Sequence, residues 1–446
     1  MVVPQFFNRK RWLFLSVGIG ILLGISAGIV KKRQADLELP QVSTDGRNGD
    51  VSKLSLLPSG VVSPTPPPQN EHGLTKEVLA GLLSDADVFQ DFPTDFELNL
   101  EGKPTPVVVQ YTFDSFLQGR MEKLFSDYRP DYGAFVAIDA KTGRVLSMVS
   151  YAHNRQLKDH LALRATFPSA SVFKVVTAAA AIAEKNFSGD TEISFSGRNH
   201  TLYKSAILKS TPNRWTKTMT LKKAFGLSVN TVFGKMGAYT VGAEKLREYA
   251  TRFGFNRKIS ADFPLQEGKA TIQDDAWELA ESASGYTKDN RMSPLQGALI
   301  AASVVNDGVM MEPYLIENIF SQDGQKLYSS YLQAASQTVS SDTARELRRL
   351  MRETISSGTS RKHFRGFFKS RFAEIEVGGK TGSLTGDDPK GKYDWFVGYG
   401  EYHGQRVAIA ALTVNERVWR VKSSYVARRA IETYFQDKLT TIHSKL

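Results

Sequence analysis

The amino-acid sequence predicts an α+β domain, a mostly antiparallel sheet flanked by helices, behind an N-terminal transmembrane helix. Three observations predict it. Apolar runs of strand length lie towards both ends of the folded part, a longer helical or polar stretch separates them, and an uncharged apolar run sits near the N-terminus. With 446 residues, 41% of them apolar, the chain has material for one large domain plus an anchor and a tether.

The apolar run is Trp12 to Val30, 19 residues without a charge. At helical rise it spans about 28 Å, close to the hydrocarbon thickness of a bilayer. Arg9, Lys10 and Arg11 precede it and Lys31, Lys32 and Arg33 follow, so flanking charge leaves its orientation open. It exceeds the apolar region of a cleaved leader and no A-x-A site follows, which favours retention. Residues 1–33 are therefore expected to be a tip and anchor. Residues 34–86 read as a linker rich in Pro, Ser and Gly, with Pro64, Pro66, Pro67 and Pro68 clustered and too little apolar surface to fold. A short helix is expected within it from Leu74 to Leu83. The folded body is expected near Asp87 and to span 87–440.

In that body, Val107 to Tyr111 reads as a strand, and Thr112 or Asp114 caps a helix with Phe116, Leu117, Met121 and Leu124 at helical spacing. A hairpin follows, Ala134 to Ile138 and Val145 to Val149 around the turn Asp139–Gly143. Trp395 to Tyr399 and Val407 to Val414 are further strands, and a helix from Ser423 to Lys438 packs back on a sheet that joins both ends of the domain. The chain carries 57 Lys plus Arg against 46 Asp plus Glu, a formal charge of +11. The basic residues are scattered and form no nucleic-acid motif, so nucleic acid is not an expected partner. Without cysteine there is no disulfide, thiolate nucleophile or thiolate metal site.

Three short segments carry chemistry. In Pro168-Ser169-Ala170-Ser171-Val172-Phe173-Lys174 a helix starts. A serine in its first turn lies among unpaired N–H groups, and a lysine three residues on shares its face, so nucleophile and base come together. The positive helix end disfavours a charged Lys174. In Ser228-Val229-Asn230, read as a turn, a hydroxyl and an amide project to one side, able to relay a proton and hold a peptide carbonyl. In Gly378-Gly379-Lys380-Thr381-Gly382-Ser383, Lys380 offers positive charge and Thr381 and Ser383 offer hydroxyls for a carboxylate. Gly382 would let a substrate backbone approach a strand edge. G-K-T also ends a P-loop, but Glu374 stands where its first glycine is required, which argues against nucleotide binding.

Singly, each segment is as compatible with a helix cap or an ordinary turn as with a site. Their order and separation are more specific: S-x-x-K, then S-x-N about 54 residues later, then K-T-G about 150 further on. In this the chain resembles the penicillin-binding protein and serine β-lactamase superfamily. From Val107 to Phe435 it resembles the transpeptidase domain of penicillin-binding proteins, through Thr112-Phe113-Asp114, Ala137-Ile138-Asp139, Ser293-Pro294-Leu295-Gln296, Asn306-Asp307-Gly308 and Gly358-Thr359-Ser360. The resemblance implies that Ser171 attacks the carbonyl between two D-alanines of a peptidoglycan stem peptide, with Lys174 as general base and Ser228 relaying a proton to the leaving amine. It further implies that Asn230 positions the donor peptide, Lys380 tunes the electrostatics, and Thr381 and Ser383 bind the terminal carboxylate. Backbone N–H groups of Ser171 and Ser383 would form an oxyanion hole.

No cofactor and no metal are implied. β-Lactams would acylate Ser171, and cell-wall synthesis proteins are possible partners. The implied location is the cytoplasmic membrane, single-pass, with the catalytic domain extracytoplasmic or periplasmic. Only about 75 residues separate the anchor from Val107, where the resemblance begins, too few for a glycosyltransferase domain or a full pedestal. Carboxypeptidase or endopeptidase activity, a serine β-lactamase, and a noncatalytic β-lactam-binding scaffold are the alternatives. A lactamase needs a base for rapid deacylation, and no candidate stands out in the sequence.

Overall fold

Side-chain alternation organises the main sheet. In the strand Tyr132–Asp139, Ala134, Val136 and Ile138 enter one core while Phe135 and Ala137 enter another. The same split recurs in Lys390–Tyr402, where Trp395 and Val397 part from Phe396, and in Gln405–Asn415, where Ala408, Ala410 and Leu412 part from Val407, Ile409 and Ala411. A sheet buried on both faces explains why these strands are apolar almost throughout rather than every second residue. The computed structural model describes residues 73–85, 88–89, 91–208, 212 and 214–443. Trp12 to Val30 and the proline cluster lie outside the described residues. Among the described residues, no helix is long and apolar enough to cross a membrane.

The sheet has five strands, in the order Glu376–Asp387, Lys390–Tyr402, Gln405–Asn415, Tyr132–Asp139, Val145–Ala152, all antiparallel. Ala410 lies opposite Val136, so the C-terminal part of the chain pairs with the N-terminal part, as expected. The expected hairpin and both late strands are present, each slightly longer than read.

On one face lies Pro294–Val305, a helix buried along its whole length. A Cβ at its Gly297 would stand 3.0 Å from Val397 Cγ2, so glycine lets helix and sheet approach closely. On the other face lie Ser115–Tyr128 and Ser423–His443, through Leu117, Met121 and Phe125 and through Ala427, Ile431 and Phe435. Burying one such large side chain contributes about 1.5–3 kcal/mol. Of the two proposed caps, Asp114 caps the first helix, accepting from the Leu117 N–H at 2.9 Å, whereas Thr112 donates to the Val145 carbonyl. Asp394 holds the start of the C-terminal helix by accepting the Ser423 N–H at 2.8 Å and pairing with Lys422 at 3.2 Å.

Two features depart from the sequence reading. The strand containing Val107 to Tyr111 belongs to a second, four-stranded sheet with Asp95–Leu100, Ile316–Ser321 and Lys326–Ser329. The folded body also begins earlier than Asp87. The helix Lys76–Asp85, expected within a linker, buries Leu79 and Leu83 in the core, with Leu74 just ahead of it. Its Lys76 is fully buried, 2.9 Å from Glu312 and over the Tyr331 ring. A buried ion pair is costly to break because the surviving charge stays in low dielectric. Lys76→Ala is therefore expected to destabilise the domain by about 3–5 kcal/mol, read by denaturant titration; an unchanged midpoint would mean that this helix is peripheral.

Candidate active site

The site forms where the edge strand of the main sheet meets two turns. Ser171 sits on a 3₁₀ turn, Ala170–Phe173, and the α-helix proper, Lys174–Lys185, begins only at Lys174. The turn is held from several sides. Ser169 N–H donates to the Asn290 carbonyl at 2.7 Å, and Trp395 Nε1 donates to the Pro168 carbonyl at 3.0 Å. Ala170 adopts φ +47°, a left-handed conformation uncommon outside glycine. Gly285 closes the other side: a Cβ there would stand 1.8 Å from the Ala170 carbonyl oxygen.

Lys174 is fully buried and its amine meets three oxygens. Ser171 Oγ and Asn230 Oδ1 lie at 2.8 Å each, and the third is the backbone carbonyl of Ser284, at the C-terminal end of the helix Ala276–Ser284. Asn230 is fixed in turn, its N–H donating to the Asn199 carbonyl at 2.7 Å and its Nδ2 to the His200 carbonyl at 2.9 Å. With Nδ2 so engaged, Oδ1 must face Lys174. Burial first, and the charge of Lys380 second, hold the Lys174 amine well below the usual lysine range. A neutral amine has two N–H groups and one lone pair. Asn230 Oδ1 and the Ser284 carbonyl can only accept, so they take both N–H groups and leave the lone pair to Ser171.

Ser228 occupies the turn between the helices Leu221–Gly226 and Asn230–Lys235, again left-handed, at φ +55°. Its hydroxyl accepts from Lys380 Nζ at 2.9 Å, and Lys380 also donates to the Thr381 carbonyl at 2.8 Å. Lys380 is fully buried, and burial lowers its pKa to about 7. Lys380 to Ser383 lie within the edge strand Glu376–Asp387, which pairs only with Lys390–Tyr402. The two glycines before Lys380 belong to the strand rather than to a turn. Rings of the neighbouring strand cross them, so a Cβ at Gly378 would lie 2.6 Å from Tyr399 and one at Gly379 2.3 Å from Phe396. Gly382 also differs from expectation. A Cβ there would lie 3.3 Å from both Ala170 and the Ser169 carbonyl, so what approaches closely is the protein's own nucleophile turn.

All eight expected residues thus come together. Ser171, Ser228, Asn230, Thr381, Gly382 and Ser383 line a cavity of about 340 Å³, and Lys174 and Lys380 are hydrogen-bonded to its hydroxyls. A larger hollow of about 550 Å³, between Lys76–Asp85 and residues 258–266, contains none of them. The sequence did not single out the Ser284 carbonyl, since every residue has one. Thr359, whose hydroxyl lies 2.6 Å from that of Thr381, belongs to the resembling segment Gly358-Thr359-Ser360 without an implied role, and His200, on the cavity wall, carries no local signal.

Residues 133–433 match the penicillin binding protein transpeptidase domain. The chain belongs to the penicillin-binding protein transpeptidase family. Its relatives include the peptidoglycan D,D-transpeptidase PbpA of Mycolicibacterium smegmatis, 29% identical over 64% of this chain and 62% of that protein. PbpA of Mycobacterium tuberculosis is 27% identical over 71% of this chain and 67% of that protein. The chain thus spans about two thirds of the length of these curated relatives. Among solved structures, the D,D-transpeptidase domain of a peptidoglycan glycosyltransferase from Eggerthella lenta superposes with a TM-score of 0.63 at 25% identity, covering 76% of this chain and 85% of that one. An imipenem acyl-enzyme complex of the M. tuberculosis penicillin-binding protein A shares the fold, with a TM-score of 0.61 at 23% identity, over 81% and 84% of the two chains. This penicillin-binding domain therefore has the α+β architecture of its family, antiparallel sheets flanked by helices.

Proposed function

We propose that the chain is a membrane-anchored serine D,D-transpeptidase of peptidoglycan stem peptides, working through an acyl-enzyme at Ser171 and open to acylation by β-lactams. The observation that carries this reading is the Lys174 amine, whose two N–H groups are absorbed by Asn230 and the Ser284 carbonyl so that its lone pair faces Ser171. Lys174 takes the hydroxyl proton as Ser171 attacks the penultimate D-alanine carbonyl. Ser228, bonded to Lys380, passes a proton to the leaving D-alanine amine. Charged Lys380, with the Thr381 and Ser383 hydroxyls, holds the terminal carboxylate on the open strand edge, and the N–H groups of Ser171 and Ser383 receive the oxyanion.

The acyl group then passes to an acceptor amine. The relatives named as D,D-transpeptidases support this reading. In the same proposal, Trp12 to Val30 spans the cytoplasmic membrane with residues 1–33 as tip and anchor, and the proline-rich tether holds the domain outside the cytoplasm. Peptidoglycan and cell-wall synthesis proteins would be its partners there.

Labelling with a fluorescent penicillin followed by peptide mapping is expected to place the adduct on Ser171 and to give none in Ser171→Ala; a label that persists in the variant would defeat the assignment. The pH profile has a definite sign. Lys174 acts only when neutral, and its pKa is lowered, so acylation persists well below the usual lysine range and fails only as acid protonates the amine. Lys380 loses its charge as pH rises through about 7, so KM for a carboxylate-bearing donor should rise above that point. Lys380→Gln removes a cation that depresses Lys174 and should move the acid limb of acylation to higher pH. Topology is tested by Thr65→Cys, since the native chain has no thiol: a membrane-impermeant reagent applied to intact spheroplasts should label it, and protection would reverse the orientation.

A further inference from the structure

His200 stands on the cavity wall with Ser171, Ser228 and Asn230. Its backbone carbonyl helps to orient Asn230, and the residue lines the cavity beside Ser228. A neutral imidazole carries a lone pair on one of its two ring nitrogens. His200 is exposed at the cavity mouth, yet partial desolvation of its ring and the charge of Lys380 lower its pKa and so favour the neutral form. The other titratable groups on the cavity wall are Tyr286, His363 and the mutually paired Asp394 and Lys422. They leave no unpaired carboxylate to recharge the imidazole.

The second half of transpeptidation needs such a group. The acceptor amine must enter where the leaving D-alanine amine departed, beside Ser228, by microscopic reversibility. Amines of this kind have pKa values of about 8–10 and arrive as ammonium ions, without a lone pair to attack. Two protons must therefore leave the nitrogen. One returns through Ser228 and Lys174 to Ser171 Oγ as the ester breaks, which commits those groups. The other needs a separate acceptor.

We propose that His200 is the base that takes the first proton from the acceptor ammonium; this rests on the transpeptidase reading above. His200 becomes imidazolium, the freed amine forms the C–N bond to the acyl carbon, and the C–O bond to Ser171 breaks. The imidazolium then passes its proton to water at the cavity mouth. The field that holds His200 neutral also disfavours the incoming ammonium, so that ion sheds its proton more readily here than in water. With a β-lactam, the ring-opened leaving group remains tethered and stays on the Ser228 side. Access of an amine or a water to His200 is then blocked, and a long-lived adduct follows.

The test uses the full chain, an N-acyl-D-alanyl thioester as donor and D-alanine as acceptor, with β-lactam acylation measured in parallel. In His200→Gln and His200→Ala, Ser171 should still acylate, while kcat/KM for D-alanine falls about 100-fold, the scale of one general base. Added imidazole should restore part of that loss in His200→Ala. An unchanged acceptor kcat/KM, a loss no larger than the loss of acylation, or a loss that imidazole leaves untouched would each overturn the proposal. If the unmutated protein is not acylated at all, the transpeptidase reading fails instead, which separates the two.

Discussion

An amine can take a proton only where its lone pair points, and in this fold two acceptor oxygens do the pointing. Were Lys174 charged, all of its donors would be spent on Asn230, the Ser284 carbonyl and Ser171, and the serine hydroxyl would be an acceptor with nothing to give its proton to. Burial removes that state. The chain has placed a lysine at full burial, without a carboxylate partner, where the charged form is disfavoured and the neutral form is fully hydrogen-bonded. Everything else at the site either keeps those two oxygens in place or brings substrate to the hydroxyl they leave free.

Keeping them in place requires backbone that would not form in isolation. Ala170, beside Ser171, and Ser228, bonded to Lys380, both have positive φ. Residues held this way cost of order 1–3 kcal/mol each and persist only where the surroundings over-determine them. Here the surroundings are visible. The Ala170 turn is pressed between Gly285 and Gly382, two positions without a Cβ, and anchored by Asn290 and Trp395. The edge strand that supplies Gly382 is itself flattened under Tyr399 and Phe396 by Gly378 and Gly379. The sheet's packing is thus transmitted to Ser171 through glycines together with the Trp395 hydrogen bond.

This explains what the sequence disclosed and what it withheld. Side-chain chemistry with a characteristic spacing was legible, so Ser171, Lys174, Ser228, Asn230 and Lys380 could be named before any fold was known. Strands and helices with strong patterns were legible too, including the hairpin at Ala134 and the C-terminal helix. Groups identical in every residue were not: the carbonyls of Ser284, Asn199 and His200 do as much to orient the amine as any side chain, yet leave no trace in a string of letters. Gly382 was legible as a place of close approach, but sequence does not say what approaches. The helix at Lys76 was assigned to a linker because its neighbours along the chain are prolines, whereas the residue that fixes it, Glu312, is 236 positions away. The second sheet was missed for the same reason, Val107 to Tyr111 pairing with Ile316–Ser321 across half the chain.

The two buried lysines then make sense as a pair with different tasks. Both have lowered pKa values, Lys380 to about 7 through burial and Lys174 through burial with the charge of Lys380 added. Repulsion by Lys380 is second to burial as a cause, so charge on Lys380 adds to burial in keeping Lys174 neutral. In the proposed mechanism, once Lys174 has taken the proton from Ser171 the same repulsion makes the doubly charged state unfavourable, and the hydroxyl bonded to Lys380 is that of Ser228, the proposed relay to the leaving amine. Moving a proton out through Ser228 relieves the repulsion at the moment when the amine needs that proton to depart. On that proposal the second lysine acts in both halves of acylation, first by helping to prepare the base and then by driving the proton off it.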